Sequence, residues 1–388
     1  MRNILTYNQI GSSGLALFEA AHYQAGHGLA PADAILLRSH VLAASDIGPE
    51  VKAIARAGAG TNNIPVADCT RRGIVVFNTP GANANAVKEL VCAGLLLSVR
   101  PVCAAMRYVQ ELATTPVDAL KAEIEAGKKR FGGCELKGKT LGIIGLGAIG
   151  ASVANLALQL GMKVVGHDPA LSVEAAWRLS SEVQRADNLS SLLARSDFIS
   201  LHVPMIEATR HLLNSQNLTA VKRGAHLLNF ARGEIVDETA VIDALREGRL
   251  AGYVCDFPSA ALIGEPGVTL LPHLGASTQE AEDNCAAMAA EQLIEFLDHG
   301  NIRNSVNFPA IHLDRTQGYR LTFANDNVPG VLSNVLNLLA GRGINVIDLL
   351  NKSRDAVAYS IVDVAQPPTP ELLDAIAGVD HVFHVRAV

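Results

Sequence analysis

The sequence predicts an α/β protein in which two doubly wound parallel-sheet domains are followed by a small βαββαβ unit. Three observations support this prediction. Short apolar segments alternate with longer helical patterns through residues 1–300, a glycine-rich loop follows one apolar segment near residue 145, and residues 319–388 change to four strands with two helices between them. Strands that alternate with helices pair in parallel, because each helix carries the chain back across the sheet.

The composition narrows the class of protein. Of the 388 residues, 49% are hydrophobic and only 4% aromatic, so the cores are expected to be aliphatic. The net charge of −6 argues against nucleic acid as a partner. No apolar run reaches the length of about 18 residues that a membrane span needs, and the six scattered cysteines are typical of a reducing compartment. We therefore expect a cytoplasmic enzyme without a membrane partner.

The first predicted domain comprises residues 1–95 and 285–312. Glycine and proline bound its short apolar segments, as they bound strands in alternating folds. The predicted strands are residues 4–7, 34–37, 52–56 and 74–78. Helices are predicted over residues 86–110 and 276–299, and the second helix returns the chain to this domain.

The second predicted domain comprises residues 96–284. Helical patterns separate its apolar segments, which is typical of a second doubly wound sheet. The predicted strands are residues 140–144, 162–166, 198–202, 226–229, 252–256 and 268–271.

A glycine-rich loop, residues 145–150, joins the first strand of this domain to its first helix. Gly145 allows a tight turn, Gly147 lets a pyrophosphate approach the backbone, and Gly150 lets the helix pack on the strand. Glycine-rich turns are common, but the preceding strand and following helix favour a dinucleotide site. Asp168 ends the next strand, where a carboxylate accepts hydrogen bonds from ribose hydroxyls and repels a 2′-phosphate. The pattern predicts NAD in a Rossmann-like domain.

Three chemically capable side chains follow strands of the same domain: Arg232, Asp256 and His273. Oxidation of a 2-hydroxy acid by hydride transfer needs a base for the hydroxyl proton, which suits His273. Arg232 can bind the carboxylate and polarise the developing carbonyl, and Asp256 can accept from the nicotinamide carboxamide. Taken alone, Arg232 is as readily a surface cation and His273 an ordinary loop histidine. Their shared position at strand ends favours the catalytic interpretation.

Motifs over essentially the whole chain resemble those of the D-isomer-specific 2-hydroxyacid dehydrogenases. The matching segments are residues 56–63, 78–81, 145–150, 202–204, 229–233 and 272–278, with Asp168 and Asp237. The resemblance implies that Arg232 and His273 are catalytic. We expect no metal site. The resemblance also implies an NAD site formed by Gly145, Gly147, Ala148, Ile149, Gly150, Asp168, His202, Val203, Pro204, Phe230, Ala231, Arg232, Asp256, His273, Gly275 and Ala276.

The resemblance assigns substrate binding largely to the first domain. The backbone of Gly58, Ala59 and Gly60 would hold the substrate carboxylate, and Arg38 matches the family's substrate arginine. Lys128, in a basic run before the glycine loop, could bind a phosphate, although such runs are more often simply solvated. The implied reaction is NAD-dependent oxidation of 3-phospho-D-glycerate to 3-phosphohydroxypyruvate, the first step of L-serine biosynthesis. Two alternatives stay open: another D-2-hydroxy acid, such as glycerate or hydroxypyruvate, and a non-catalytic NAD-responsive regulator.

One position departs from the family pattern. A glutamate that orients the catalytic histidine is expected 29 residues after the arginine, where this chain has Ala261. The nearest acid is Glu265, which either serves from a shifted loop or is an ordinary solvated loop acid.

Residues 318–388 resemble an ACT domain, a regulatory module with the ferredoxin-like βαββαβ order that binds amino acids at subunit interfaces. The resemblance implies that Asn325, Asn327 and Asn345 bind L-serine as an effector and that the chain forms a homodimer or homotetramer. The alternative is that these asparagines only cap a helix and a turn.

Overall fold

The computed structural model describes residues 1–388, apart from the side chain of Glu174. The chain forms two compact units. The first unit comprises Met1–Asn83 and Gln279–Val388, and the second unit comprises Ala84–Thr278. Within the first unit, residues 319–388 form the tail.

The strands in chain order are β1 (Asn3–Thr6), β2 (Gln24–Gly26), β3 (Ala34–Leu37), β4 (Ala53–Arg56), β5 (Val75–Phe77), β6 (Thr140–Ile144), β7 (Lys163–His167), β8 (Gln184–Arg185), β9 (Phe198–Leu201), β10 (Ala225–Asn229), β11 (Leu250–Cys255), β12 (Val268–Leu270), β13 (Tyr319–Asp326), β14 (Val346–Arg354), β15 (Val357–Val364) and β16 (Val382–Ala387). The α-helices are α1 (Ser12–Ala20), α2 (Val66–Arg71), α3 (Ala84–Val99), α4 (Val102–Glu111), α5 (Val117–Gly127), α6 (Ala148–Gln159), α7 (Val173–Ala176), α8 (Leu189–Arg195), α9 (Glu238–Arg246), α10 (Gln279–His299), α11 (Val331–Gly341) and α12 (Pro370–Ala377).

The predicted fold class is confirmed. The first unit holds a five-stranded parallel sheet in the order β2-β1-β3-β4-β5, and the second unit holds a seven-stranded parallel sheet in the order β12-β11-β10-β9-β6-β7-β8. The tail adds an antiparallel sheet in the order β14-β15-β13-β16. Strands β3 and β9 are buried at every residue, as expected of parallel strands covered on both faces.

The helix predicted over residues 86–110 is two helices in the structure. Helix α3 ends at Val99, and α4 begins after Pro101, with a bend of 65° between them. Proline breaks the helix because it lacks the backbone N–H and restricts the residue before it. Helix α3 packs within the second unit, since Val91 and Leu95 share a core with the strands of that unit, so the boundary between the units falls at residues 83 and 84.

The tail is packed within the first unit. Helices α11 and α12 cover one face of its sheet, while the other face joins the core of the first unit through residues such as Tyr359 and Ile361. The Tyr359 hydroxyl donates to the carbonyl of Gly300 at 3.0 Å, and Arg386 donates to the carbonyl of Phe296. Strand β15 is consequently buried along its whole length.

Among the described residues, no single helix is long and apolar enough to cross a membrane. Helix α3 and residues 102–114 are together long and apolar enough by length and composition only, and they are bent against each other by 65°.

Candidate active site

The glycine loop of the second unit has the backbone geometry that the sequence predicts. Gly145 has a φ of +91°, which favours glycine, and its N–H donates to the carbonyl of His167 at 2.9 Å. A Cβ on Gly150 would lie 1.9 Å from the carbonyl oxygen of Gly145, so only glycine fits there. A Cβ on Gly147 would meet nothing within 4 Å, so this face of the loop is open to a ligand.

Helix α6 begins on this loop and presents a site for anions. Gly147 occupies the N-cap position and has no side chain to cap the first turn, so the N–H groups of Ala148 and Ile149 point from the helix start with the positive end of its dipole. Asp168, just past β7, binds the N–H of Leu146 at 2.8 Å and of Ala170 at 2.9 Å. The carboxylate thus fixes the loop while it retains lone pairs for ribose hydroxyls.

The segment after β9 lies against the same loop. The N–H of His202 donates to the carbonyl of Ile144 at 2.7 Å, and a Cβ on Gly145 would lie 2.6 Å from the carbonyl oxygen of His202. The His202 ring is 2.8 Å from the Ser200 hydroxyl, and burial lowers its pKa to about 4. The ring is therefore neutral at physiological pH, and its neighbours Val203 and Pro204 continue the wall of the site.

A buried asparagine shapes the loop that carries Arg232. Asn229 ends β10, and its amide nitrogen donates to the carbonyl of Arg232 at 2.8 Å, while its oxygen accepts from the N–H of Ala231 at 3.1 Å. Phe230 is buried below this turn, and the Arg232 side chain is exposed above it. The guanidinium donates from Nη1 to the carbonyl of Ala231 at 2.6 Å, and its other N–H groups are available to an anion.

Asp256 lies after β11, between the loops that carry Arg232 and His273. Its side chain is fully buried, Oδ2 accepts from the N–H of Gly275 at 3.0 Å, and Oδ1 has no hydrogen-bond partner among the described residues. Burial raises the pKa of Asp256 above its ordinary value, and the hydrogen bond from Gly275 and the charges of His273 and Arg232 only partly oppose this rise. An unpaired buried oxygen of this kind is a ready acceptor for a ligand N–H.

His273 is held by its backbone rather than by its ring. Its N–H donates to the Asp256 carbonyl at 2.9 Å, and its φ of +53° is unusual for a residue with a side chain. The exposed ring lies 4.9 Å from the ring of Phe257, measured between centroids. Because β10, β11 and β12 are neighbours, Arg232, Asp256 and His273 come from adjacent strand ends of one sheet.

Glu265, the acid nearest in sequence to the expected glutamate position, forms an ion pair with Arg246. Both of its carboxylate oxygens accept from Arg246, at 3.0 Å from Nε and 3.1 Å from Nη2. Ala261 is exposed and has no group that could replace a carboxylate. Glu265 is thus an ion-paired loop acid in this structure, and Arg246 rather than His273 is its partner.

The first unit carries the predicted substrate loop. The carbonyl of Gly58 accepts from the Thr79 N–H at 3.1 Å, and the carbonyl of Ala59 accepts from Asn78 Nδ2 at 2.6 Å. With these carbonyls engaged, the N–H groups of Ala59 and Gly60 are the donors that the loop can offer to a carboxylate.

Arg38 directly follows β3 of the same sheet and forms an ion pair with Glu282, at 2.6 Å. Arg56, which sequence reasoning missed, ends β4 beside it and donates from Nε to the Arg38 carbonyl at 3.0 Å. The sequence offered one indication of Arg56, which is the charged last residue of an otherwise apolar strand.

The remaining predicted binding residues, Lys128 and the three asparagines of the tail, lie in different parts of the fold. Lys128 lies in the second unit, in the turn after α5, where it is exposed and forms an ion pair with Glu125.

In the tail, the Asn327 N–H donates to the carbonyl of residue 356, whereas the Asn345 carbonyl accepts from the N–H of residue 365. Asn325 lies near the same end of β15 as Asn327. Asn345 is therefore roughly 30 Å away along β15, at about 3.3 Å per residue.

The second unit has the features that NAD requires. Gly147 leaves open space above an uncapped helix start, Asp168 stands at the end of the next strand, and Asp256 offers a buried oxygen without a partner. These are complementary to a pyrophosphate, a ribose and a carboxamide, respectively.

Comparison with known proteins agrees with this geometry. Residues 99–275 match the family model of the D-isomer specific 2-hydroxyacid dehydrogenase, NAD binding domain. D-3-phosphoglycerate dehydrogenase of Haemophilus influenzae is 32% identical over 367 residues, covering 90% of this chain and 85% of the relative. D-3-phosphoglycerate dehydrogenase of Escherichia coli is 35% identical over 317 residues, covering 79% of this chain and 73% of the relative.

A solved structure shares the fold. The NAD⁺-bound 3-phosphoglycerate dehydrogenase of Entamoeba histolytica is 27% identical, with a TM-score of 0.62, and the match covers 79% of this chain and 98% of that chain. The second unit thus contains an NAD-binding domain, and the chain belongs to the family of D-isomer-specific 2-hydroxyacid dehydrogenases.

Proposed function

We propose that the chain catalyses the NAD-dependent oxidation of 3-phospho-D-glycerate to 3-phosphohydroxypyruvate, the first step of L-serine biosynthesis. The observation that carries this proposal is that Arg232, Asp256 and His273 follow the adjacent strands β10, β11 and β12 of the sheet whose strand β6 leads into the NAD loop. The names of the relatives in Haemophilus influenzae and Escherichia coli support the choice of substrate.

Each side chain has a defined role in the proposed reaction. The exposed Arg232 guanidinium binds the substrate carboxylate and polarises the C2 oxygen as it becomes a carbonyl. His273 accepts the hydroxyl proton. When bound, NAD would supply the hydride acceptor. Asp256 Oδ1 would accept an N–H of its carboxamide and so help to hold it.

Substrate recognition needs anion-binding groups in addition to Arg232. In the first unit, the N–H groups of Ala59 and Gly60 are donors for the carboxylate, and Arg38 is a cation for the phosphate. In the second unit, Lys128 is a further phosphate candidate whose partner Glu125 must be displaced.

Glu265 favours one second candidate function. Since Arg246 engages this acid and Ala261 replaces the expected one, a carboxylate that orients His273 has to come from elsewhere. A protein that binds NAD without turnover, and responds to it as a regulator, fits this arrangement.

We further propose that the tail binds L-serine between two copies of the chain. Asn325 Oδ1 is buried without a partner among the described residues, which suits a ligand donor. Because Asn345 lies at the opposite end of β15, a site that uses all three asparagines needs two tails. An exposed apolar stripe on α4 supports a homodimer or homotetramer, since Val102, Met106 and Val109 lie on one helix face.

The six free cysteines support a cytoplasmic location.

A substrate panel tests the proposed function. NADH absorbance is followed with 3-phosphohydroxypyruvate, hydroxypyruvate and glyoxylate, each with and without L-serine. We expect 3-phosphohydroxypyruvate to give the highest kcat/KM and L-serine to lower it. Preference for an unphosphorylated acid would transfer the assignment to another D-2-hydroxy acid, and NAD binding without any turnover would favour the regulator.

A further inference from the structure

A carboxylate on helix α10 holds the predicted substrate arginine of the first unit. Glu282 lies in the first turn of α10, and its Oε1 accepts from Arg38 Nη2 at 2.6 Å. Both side chains are a little over one-third exposed, at 37% and 38%, so the pair faces solvent and can be reached by a ligand.

The backbone around Arg38 is fixed by three other side chains. The oxygen of the Asn8 amide accepts from the N–H groups of residues 38–40, at 3.3, 3.1 and 2.8 Å. Asn63 Nδ2 donates to the carbonyls of Arg38 and His40, and Arg56 Nε donates to the Arg38 carbonyl. With its backbone held so firmly, the conformation of Arg38 is set by the torsions of its own side chain.

Glu282 fixes those torsions without saturating the guanidinium. A guanidinium has five N–H donors, and Glu282 engages Nη2 alone through one oxygen. Nη2 carries two N–H groups, one on each bidentate edge of the guanidinium. The second N–H of Nη2, together with its neighbour on that edge, Nε or Nη1, is therefore left to bind an anion in the bidentate manner that arginine favours. A fixed side chain loses less rotamer freedom on binding than a mobile one, which improves affinity.

We propose that Glu282 is a positioning residue: it orients the Arg38 guanidinium for the phosphate group of the substrate and does not contact the reacting atoms. This inference rests on the proposed function, in which Arg38 binds that phosphate. A carboxylate beside an anion site also repels a dianion, which weakens binding. Removal of Glu282 should therefore raise the KM if positioning of Arg38 dominates, and lower the KM if repulsion dominates.

Steady-state kinetics of Glu282 variants separate the two effects. Glu282→Ala should raise the KM for 3-phosphohydroxypyruvate about 3–10-fold and leave kcat within about 2-fold, because only binding is affected. Glu282→Gln keeps an oxygen that can accept from Arg38 and should restore most of the KM. Glu282→Asp keeps the charge but withdraws it by one methylene, so positioning predicts a raised KM. The KM for hydroxypyruvate, which lacks the phosphate, should not change in any variant.

A matched control is available at the opposite end of β3. Asp33 precedes β3 and forms an ion pair of the same length, 2.6 Å, with Lys52. Asp33→Asn should leave both KM values unchanged. All variants are compared by Tm, and if Glu282→Ala does not fold, the Asp and Gln variants decide the question.

The results distinguish the inference from the proposed function. A lowered or unchanged KM for 3-phosphohydroxypyruvate in Glu282→Ala and Glu282→Asp, together with a raised KM in Arg38→Ala, overturns the positioning role but preserves the phosphate role of Arg38. An unchanged KM in Arg38→Ala overturns that phosphate role, and the positioning role with it.

Discussion

Arg320 and Asp363 form a bidentate ion pair that is fully buried within the first unit. Arg320 Nε and Nη2 lie 2.6 and 2.9 Å from the two carboxylate oxygens, and Nη1 donates to the carbonyl of His299 at 2.9 Å. Burial alone raises the pKa of Asp363, but the hydrogen bonds from Arg320 and Thr316 outweigh it, and the pKa lies below its ordinary value. Because His299 ends α10, the pair ties the tail to the helix that carries Glu282.

Removal of one member of this pair should destabilise the first unit severely. Asp363→Ala leaves the Arg320 charge buried without compensation, which costs roughly 3–5 kcal/mol. Urea denaturation measures the loss. Asp68→Ala on α2 removes exposed contacts with Arg71 and Arg72 and should cost less than about 1 kcal/mol. Equal losses in the two variants would contradict the view that the tail is an integral part of the unit.

His384 should make the free energy of unfolding depend on pH. Burial, followed by the charges of Arg386 and Lys52, lowers its pKa to about 4. Between about pH 6.5 and pH 4 the unfolded chain therefore binds more protons than the folded chain, so stability is lost as the pH falls through this window. His384→Gln should be less sensitive by about 1–3 kcal/mol between pH 7 and pH 4. Parallel pH profiles of the two proteins, from urea denaturation, would contradict this.

Two glycines of the cofactor loop should respond differently to alanine. In Gly147→Ala the new Cβ meets no protein atom, so the Tm should stay unchanged while NAD binding weakens about 10-fold or more, since the methyl group occupies the phosphate side of the loop. Gly150→Ala forces a Cβ to 1.9 Å from the Gly145 carbonyl, so both Tm and NAD binding should fall. Calorimetry measures both quantities. Gly132→Ala, also open in space and at a φ of −60°, is the control and should bind NAD normally.

Glu265 should be dispensable for catalysis. Its carboxylate is engaged by Arg246, whose side chain is 65% exposed, so Glu265→Gln should cost less than about 1 kcal/mol of stability and leave kcat/KM within about 2-fold. The pH profile of kcat should keep its shape. A loss of more than 10-fold with a displaced profile would show that Glu265 moves to orient His273 during turnover.

The sequence predicts the parallel sheets well because glycine and proline bound their apolar strands. It misses β2, a three-residue strand at the sheet edge, because Gln24 to Gly26 have neither apolar alternation nor full burial. It joins α3 and α4 across Pro101, since the helical apolar pattern continues on both sides of the proline.

Some features of the candidate site can likewise be predicted from the sequence, and others cannot. Residues with a local motif, such as Gly145 and Asp168, can be predicted, because the loop itself dictates their geometry. The partners of Glu265 and Arg38 cannot, since Arg246 and Glu282 meet them only through the packing of the fold. The separation of Asn345 from Asn327 likewise depends on strand register, which composition does not specify.

The most direct test of the central claim is the kcat/KM of His273→Gln and Arg232→Ala with 3-phosphohydroxypyruvate and NADH. If these residues carry proton transfer and carboxylate binding, each variant should lose about 10²–10⁴-fold in kcat/KM while it binds NADH and keeps its Tm. Turnover within a few-fold of the unsubstituted protein in either variant would contradict the assignment.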